Sequence, residues 1–138
     1  MQKIRYQEGY KYRLYEQRIT KVSIQPETNI VTNFITLSQD GILAIKAGYA
    51  WDGASGPTWD DKTNMRGSLV HDALCQLMRL GLLPQSCKEQ AHRALQKVMI
   101  EDGAFKIRAW YYYKAVSSRF GDKSCSPGYE PYPVLTAP

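Results

Sequence analysis

Hydrophobic and polar positions change period about a third of the way along the chain. From Lys3 to Lys46 the apolar residues recur at short, alternating intervals. Tyr10, Tyr12 and Leu14 alternate with charged neighbours, Ile19 and Val22-Ser23-Ile24 do so more loosely, and Asn29 to Leu37 is rich in β-branched residues. A period of two marks strands with one buried face. Gln39-Asp40-Gly41 has the composition of a hairpin turn, and Ile42 to Ile45 resumes a strand. Pro26 lacks an N–H and marks a turn or an edge. The pattern predicts four or five short strands in a mostly antiparallel sheet.

The second half reads as helices. Thr63 or Asn64 can cap the first, which runs to about Leu80 with Val70, Leu74 and Leu77 on one face. Gly81 fits the position just past its end, and Pro84 marks a break. Ser86-Cys87-Lys88-Glu89 has the form of a capping box opening a second helix to about Asp102, with Ala91, Leu95, Val98 and Met99 facing inward. Gly103 ends it. A third helix is expected from Phe105 to Phe120, with Ile107, Trp110, Tyr111 and Ala115 as core candidates. The first connection is short, so the first two helices should lie antiparallel.

Between the halves, Ala47 to Thr63 is a loop rich in Gly, Pro, Trp and Asp, and loops of this length in compact domains often carry function. Cys125 to Pro138 holds Pro127, Pro131, Pro133 and Pro138 and cannot be helical throughout. It lies extended over the domain or is loose. The expectation is one α+β domain over residues 1–122, a small sheet followed by three helices, with a Pro-rich tail over 123–138.

Composition narrows the partners. With 138 residues, 43% of them hydrophobic, the chain can bury a core. The net charge of +5 suits an anionic partner such as a phospholipid or envelope surface. The basic residues form no run of five, which argues against nucleic acid. Three cysteines, Cys75, Cys87 and Cys125, do not read as a disulfide framework, and the lack of a CxxC pair argues against structural zinc. Met1 to Tyr10 is polar, so no signal peptide is expected, and no apolar run has the length of a membrane span. Synthesis in a cytoplasm follows, with any extracellular role reached through lysis or delivery on a particle.

The candidate chemistry sits where the loop meets the first helix. Tyr49-Ala50-Trp51-Asp52-Gly53-Ala54-Ser55-Gly56-Pro57 precedes Val70-His71-Asp72-Ala73. Asp52, Asp72 and the carbonyls of Gly53 to Gly56 offer the oxygen ligands that a hard cation such as Ca²⁺ takes. An imidazole such as that of His71 is suited to removing a proton from water. Successive helical residues diverge by about 100°, so His71 and Asp72 are expected to hold adjacent jobs rather than one ligand. His92 follows 21 residues after His71 on the antiparallel partner. With the turn near residue 82 the two face each other, either one orienting the other or both binding a transition metal. The structural alternative is a bracket, Asp52 hydrogen-bonded to His71 simply to pin the loop.

Asp52-Gly53-Ala54-Ser55, Pro57 and His71-Asp72-Ala73-Leu74 resemble a family found widely in bacteriophage genomes and prophages, known as domain of unknown function 1353. The resemblance implies a phage origin and no particular activity. The same order, a Gly-rich loop before a helical His-Asp pair, is similar to calcium-dependent secreted phospholipases. That likeness implies His71 as the base, Asp72 as a calcium ligand, and Asp52 to Gly56 as the calcium loop. It departs at His92, where those enzymes carry an orienting Asp, and at Cys75, which has no partner evident from spacing. Together these readings point to a phage-encoded hydrolase, calcium-dependent and acting on an ester of lipid or envelope material, with His71 and His92 catalytic and Asp52, Gly53 and Asp72 at the metal. The alternative is a non-enzymatic virion, tail-associated or host-interaction protein. A phosphohydrolase of the His-Asp signature type needs more His and Asp ligands than His92 alone supplies.

Overall fold

The computed structural model describes residues 4–6, 10–53, 60–118, 123–127 and 135–137. Ala54 to Pro57 of the loop, Trp59, the end expected for the third helix at Phe120, and Pro131, Pro133 and Pro138 of the tail lie outside these residues. The strands are β1 (Ile4–Tyr6), β2 (Tyr12–Arg13), β3 (Arg18–Lys21), β4 (Ile30–Val31), β5 (Ile35–Leu37), β6 (Ile42–Ile45), β7 (Ala50–Trp51) and β8 (Leu135–Ala137). The helices are α1 (Met65–Arg79), α2 (Lys88–Glu101) and α3 (Lys106–Ser117). The α+β order is the one expected. No helix among the described residues is long and apolar enough to cross a membrane.

The main sheet has the order β3-β6-β5-β4 and is antiparallel throughout. Ile35 pairs with Ile45 and Leu37 with Leu43. All four are buried, while Thr36 and Ala44 between them are less so. One face of the β5–β6 hairpin is therefore a continuous aliphatic surface, as period-two alternation requires. The strands outnumber the four or five expected, and they fall in three sheets. β2 pairs with β7 from within the loop, and β1 pairs with β8 from the tail. These partners lie far apart in sequence, so no local pattern announces them. In the tail, β8 takes the extended alternative.

α1 lies centrally. Leu69, Val70, Ala73, Leu74 and Leu77 join the sheet residues in one cluster, and Gly67, Ser68, His71, Cys75 and Met78 are buried as well. A helix covered on most of its circumference has a neighbour on each side. Here they are the main sheet, α2 and a short 3-10 turn at Lys123–Cys125. A disulfide joins Cys75 to Cys125 across a separation of 50 residues. This corrects the expectation that Cys75 has no partner: spacing carries no information about a pair brought together by the tertiary fold. Closing a loop of that length removes about 4 kcal/mol of chain entropy from the unfolded state. The Arg79 guanidinium and the Gln85 amide fix the same turn by donating to the Ser124 and Cys125 carbonyls, each at 2.7 Å.

Asn64 holds the N-cap position of α1, but its side chain makes no cap hydrogen bond to the helix; it accepts the Asp61 N–H instead. The capping box at Ser86 to Glu89 does not form. A 3-10 turn over Gln85–Cys87 runs directly into α2, so the backbone is already helical at the would-be cap. The Glu89 carboxylate accepts from Arg93 and, at 2.6 Å, from the Tyr113 hydroxyl of α3. Three of the four core candidates of α3 are exposed: Ile107 at 77%, Trp110 at 50% and Tyr111 at 41%. The buried stripe is Ala109, Tyr112, Tyr113 and Val116, with Ala115. Aromatic residues run around this helix, so hydrophobicity alone does not select its inward face.

The antiparallel packing of α1 on α2 depends on Gly67. A Cβ there would lie 2.9 Å from a Leu95 methyl, 3.1 Å from the Leu95 carbonyl oxygen and 3.2 Å from Met99 Cγ. Gly67→Ala should therefore destabilise the fold by about 1–3 kcal/mol, against the roughly 1 kcal/mol gain expected for the same change in an exposed helix. Urea denaturation of the two proteins measures the difference; a more stable variant would show that the helices are not in tight contact.

Candidate functional site

One helical turn beyond Gly67 comes His71, and the close approach sets what it meets. His71 Nε2 lies 2.9 Å from His92 Nδ1, with ring centroids 5.1 Å apart and planes inclined by 30°. The expected opposition of the two histidines is present in the structure. Both are buried, at 1% and 3% exposure. Such a contact requires one N–H and one lone pair, and two neutral arrangements satisfy it. In one, His71 donates from Nε2 and keeps a lone pair on Nδ1. In the other, His92 donates and His71 carries its proton on Nδ1.

Asp72 decides what surrounds that second nitrogen. Its Oδ1 is 3.6 Å from His71 Nδ1. Neighbouring helical positions diverge by about 100°, yet the ends of these two side chains come this close. Burial pushes the Asp72 carboxyl above the usual range, and the charge of Asp52 adds to this, while His71 and Arg79 oppose it. Tyr49 shares the neighbourhood. Burial first, then the Asp72 charge, pushes its phenol up.

The loop is held against α1 by Trp51. Its indole N–H donates to Ser68 Oγ at 3.1 Å, and Ser68 in turn donates to the Met65 carbonyl. Ser68 and Asp72 are one turn apart on α1, so pinning Trp51 at Ser68 brings Asp52 into electrostatic range of Asp72. Asp52 itself accepts the Lys11 backbone N–H at 2.8 Å. Gly53 follows with a φ of +85°, and a Cβ there would run into the Asp60 carboxylate. Both its conformation and its neighbour therefore demand glycine.

Asp60 is the loop residue that sequence reasoning passed over. It accepts the Tyr12 hydroxyl at 2.7 Å, and Lys11 Nζ approaches to 3.9 Å. Tyr12, whose ring is 5.5 Å from that of Trp51, has its phenol pushed up chiefly by the hydrogen bond to Asp60. The available signal was Trp59-Asp60-Asp61 at the end of the same loop. The structure thus brings together His71, His92 and Asp72, and on the loop it sets Asp60 against Tyr12 and Gly53, with Asp52 at the Lys11 backbone. A cleft of about 760 Å³ lies elsewhere, lined by residues such as Ile24, Pro26, Leu83 and Gln90.

These features define an α+β protein with a buried imidazole pair and the Asp72 carboxylate at its edge. Residues 29–116 match the family described as Protein of unknown function (DUF1353), and the chain belongs to that family. No curated protein and no solved structure matches it. The matched segment runs from just before β4 into the last turn of α3, so it contains Asp52, His71, Asp72 and His92 but not Cys125.

Removing either histidine leaves the other buried with an unsatisfied polar atom, at a cost of about 1–3 kcal/mol besides lost packing. The cycle of His71→Ala, His92→Ala and the double variant should give a coupling of about 0.5–3 kcal/mol. Additive losses would mean that the rings do not interact. Asp72 gives a pH-dependent counterpart. Its carboxyl is raised by burial, so the folded protein keeps the proton to higher pH than the unfolded chain. The ionised form therefore weighs against folding as pH rises above the ordinary aspartate value of 3.8. Asp72→Asn should exceed wild type in stability at neutral pH in chelator, with the difference closing in acid. A less stable variant at neutral pH would make the His71 contact outweigh burial.

Proposed function

We propose that this protein is a hydrolase in which His71 activates a water for attack on an ester. The observation that carries the reading is the pair of contacts on His71: Nε2 against His92 and Nδ1 facing Asp72. His92 orients the ring, and Nδ1 is the atom that takes the proton. That role requires the arrangement with His71 donating from Nε2, which leaves the Nδ1 lone pair available. The carboxylate of Asp72 by itself favours the opposite arrangement, because it attracts an Nδ1–H. With Asp72 committed to a cation, His71 loses that attraction and keeps its lone pair.

Calcium fits the oxygen-rich edge of the site. Burial, with a contribution from the Asp52 charge, raises the cost of ionising Asp72, a cost that a cation held there would relieve. Asp72 and Asp52, with the Gly53 backbone, would hold it. A bound Ca²⁺ supplies positive charge for the oxyanion of the attacked ester. The positive net charge and the phage-type motif favour an anionic lipid or envelope ester of a bacterial host, met after lysis or on a particle.

The test is ester release from vesicles of anionic phospholipid, with Ca²⁺ or chelator. Wild type should act only with Ca²⁺ and gain melting temperature from it. His71→Asn should lose about 10²–10⁴-fold in rate, and Asp72→Asn should lose the calcium response. His92→Asp should raise the rate, since a carboxylate stabilises imidazolium better than a neutral ring does. No calcium-dependent release, with no thermal response to Ca²⁺, would reject the hydrolase and favour the non-enzymatic alternative.

A further inference from the structure

Both histidines of the chain and two of its three cysteines are buried around His71, with His92 against its ring and the sulfurs of Cys75 and Cys125 close by. Cys75 stands four residues after His71 on α1, and its sulfur is 3.6 Å from His71 Nε2. His92 Nδ1 is 2.9 Å from the same nitrogen. One nitrogen of His71 and the sulfurs of Cys75 and Cys125 all lie within 4.8 Å of one another. All four residues are buried to 3% exposure or less.

Zinc takes thiolate at about 2.3 Å and imidazole at about 2.0–2.1 Å, so the edges of a tetrahedral site span about 3.3–3.8 Å. The His71–Cys75 edge already has that length, and the His71–His92 edge falls short by a few tenths of an ångström. The two sulfurs, joined here, must part to about 3.8 Å, which side-chain rotation at two cysteines can accomplish. The ligand set also suits burial. Two thiolates cancel the charge of a divalent ion, and two imidazoles add none, so the centre is neutral. Sulfur with imidazole in a tetrahedron selects zinc over a hard cation such as calcium.

We propose that reduction of the Cys75–Cys125 disulfide converts this cluster into a closed Cys₂His₂ centre for a thiophilic divalent metal, with Zn²⁺ as the first candidate. The reductant is a dithiol. It passes two electrons and two protons to the disulfide, giving two cysteine thiols, and is itself oxidised to a disulfide. Binding of the ion then releases the two thiol protons to solvent. His71 Nε2 and His92 Nδ1 contribute lone pairs, and each ring keeps its proton on the other nitrogen. The sequence lacks a CxxC pair because the ligands come from three elements: two from one face of α1, one from α2 and one from the Lys123–Cys125 turn. In the loaded state His71 carries its proton on Nδ1 and cannot accept one from water. Loading would therefore silence the hydrolysis proposed above, but metal binding itself does not rest on that reading.

The test uses the full chain, oxidised or reduced by a dithiol under inert gas and then freed of reductant, titrated with Co²⁺ alone. Reduced protein should show the visible bands of tetrahedral cobalt with thiolate charge transfer, saturating at one ion per chain, and Zn²⁺ should bleach them. Oxidised protein should show none. Cys125→Ser should lose most of the charge-transfer intensity, His92→Ala should shift the bands, and Cys87→Ser should leave them unchanged. Absence of bands in reduced wild type overturns the proposal without reference to any variant. So does equal binding by oxidised protein, or bands abolished by Cys87→Ser alone. Because the readout is spectroscopic, its failure is separate from failure of ester release in the vesicle assay.

Discussion

The close approach of α1 and α2 governs the rest of the molecule. It is possible because Gly67 presents no side chain to Leu95 and Met99. One turn further along, the same separation brings two imidazoles into direct contact. Widening the interface would part the histidines, and narrowing it would clash at Leu95. A single small residue thus sets the geometry of the site from one turn away. The ion pair of Arg66 with Asp102 and Glu101 ties the start of α1 to the end of α2 and holds the same register from the surface.

Around that contact the protein buries polar groups, and each needs a partner in a medium that penalises isolated ones. His71 finds three: His92, Cys75 and Asp72. His71 is where the two proposals meet. The hydrolase proposal uses Nδ1, which faces Asp72, and the metal proposal uses Nε2, beside His92 and Cys75. A disulfide holds the sulfurs of Cys75 and Cys125, and the position of the proton on His71 links the two proposals.

Much of this was legible beforehand. The helical hairpin followed from the apolar spacing of Val70, Leu74 and Leu77 against Ala91, Leu95 and Val98, with Gly81 between. Counting residues from that turn placed His71 opposite His92. The β5–β6 hairpin followed from alternation around Gln39-Asp40-Gly41. Other features were hidden for definite reasons. Glu89 looked like half of a capping box because a local motif cannot reveal Tyr113, which takes its carboxylate from another helix. The inward face of α3 was misread because Trp110 and Tyr111 are as apolar as the residues that are buried. Asp60 gave little warning because its importance lies in touching Tyr12 and Gly53, both distant or across a turn.

The sequence by itself determined the elements whose cause is local: periodicity chooses strand or helix, glycine and proline end them, and a short turn makes neighbouring helices antiparallel. From these, the meeting of the two histidines follows by geometry alone. Only the tertiary structure decided the contacts made across long stretches of chain. These include β8 beside β1, β7 beside β2, Cys125 beside Cys75, and Trp51 on Ser68. Such pairings depend on how whole faces are buried together, and the energy that selects them is shared among many residues rather than written in any one segment.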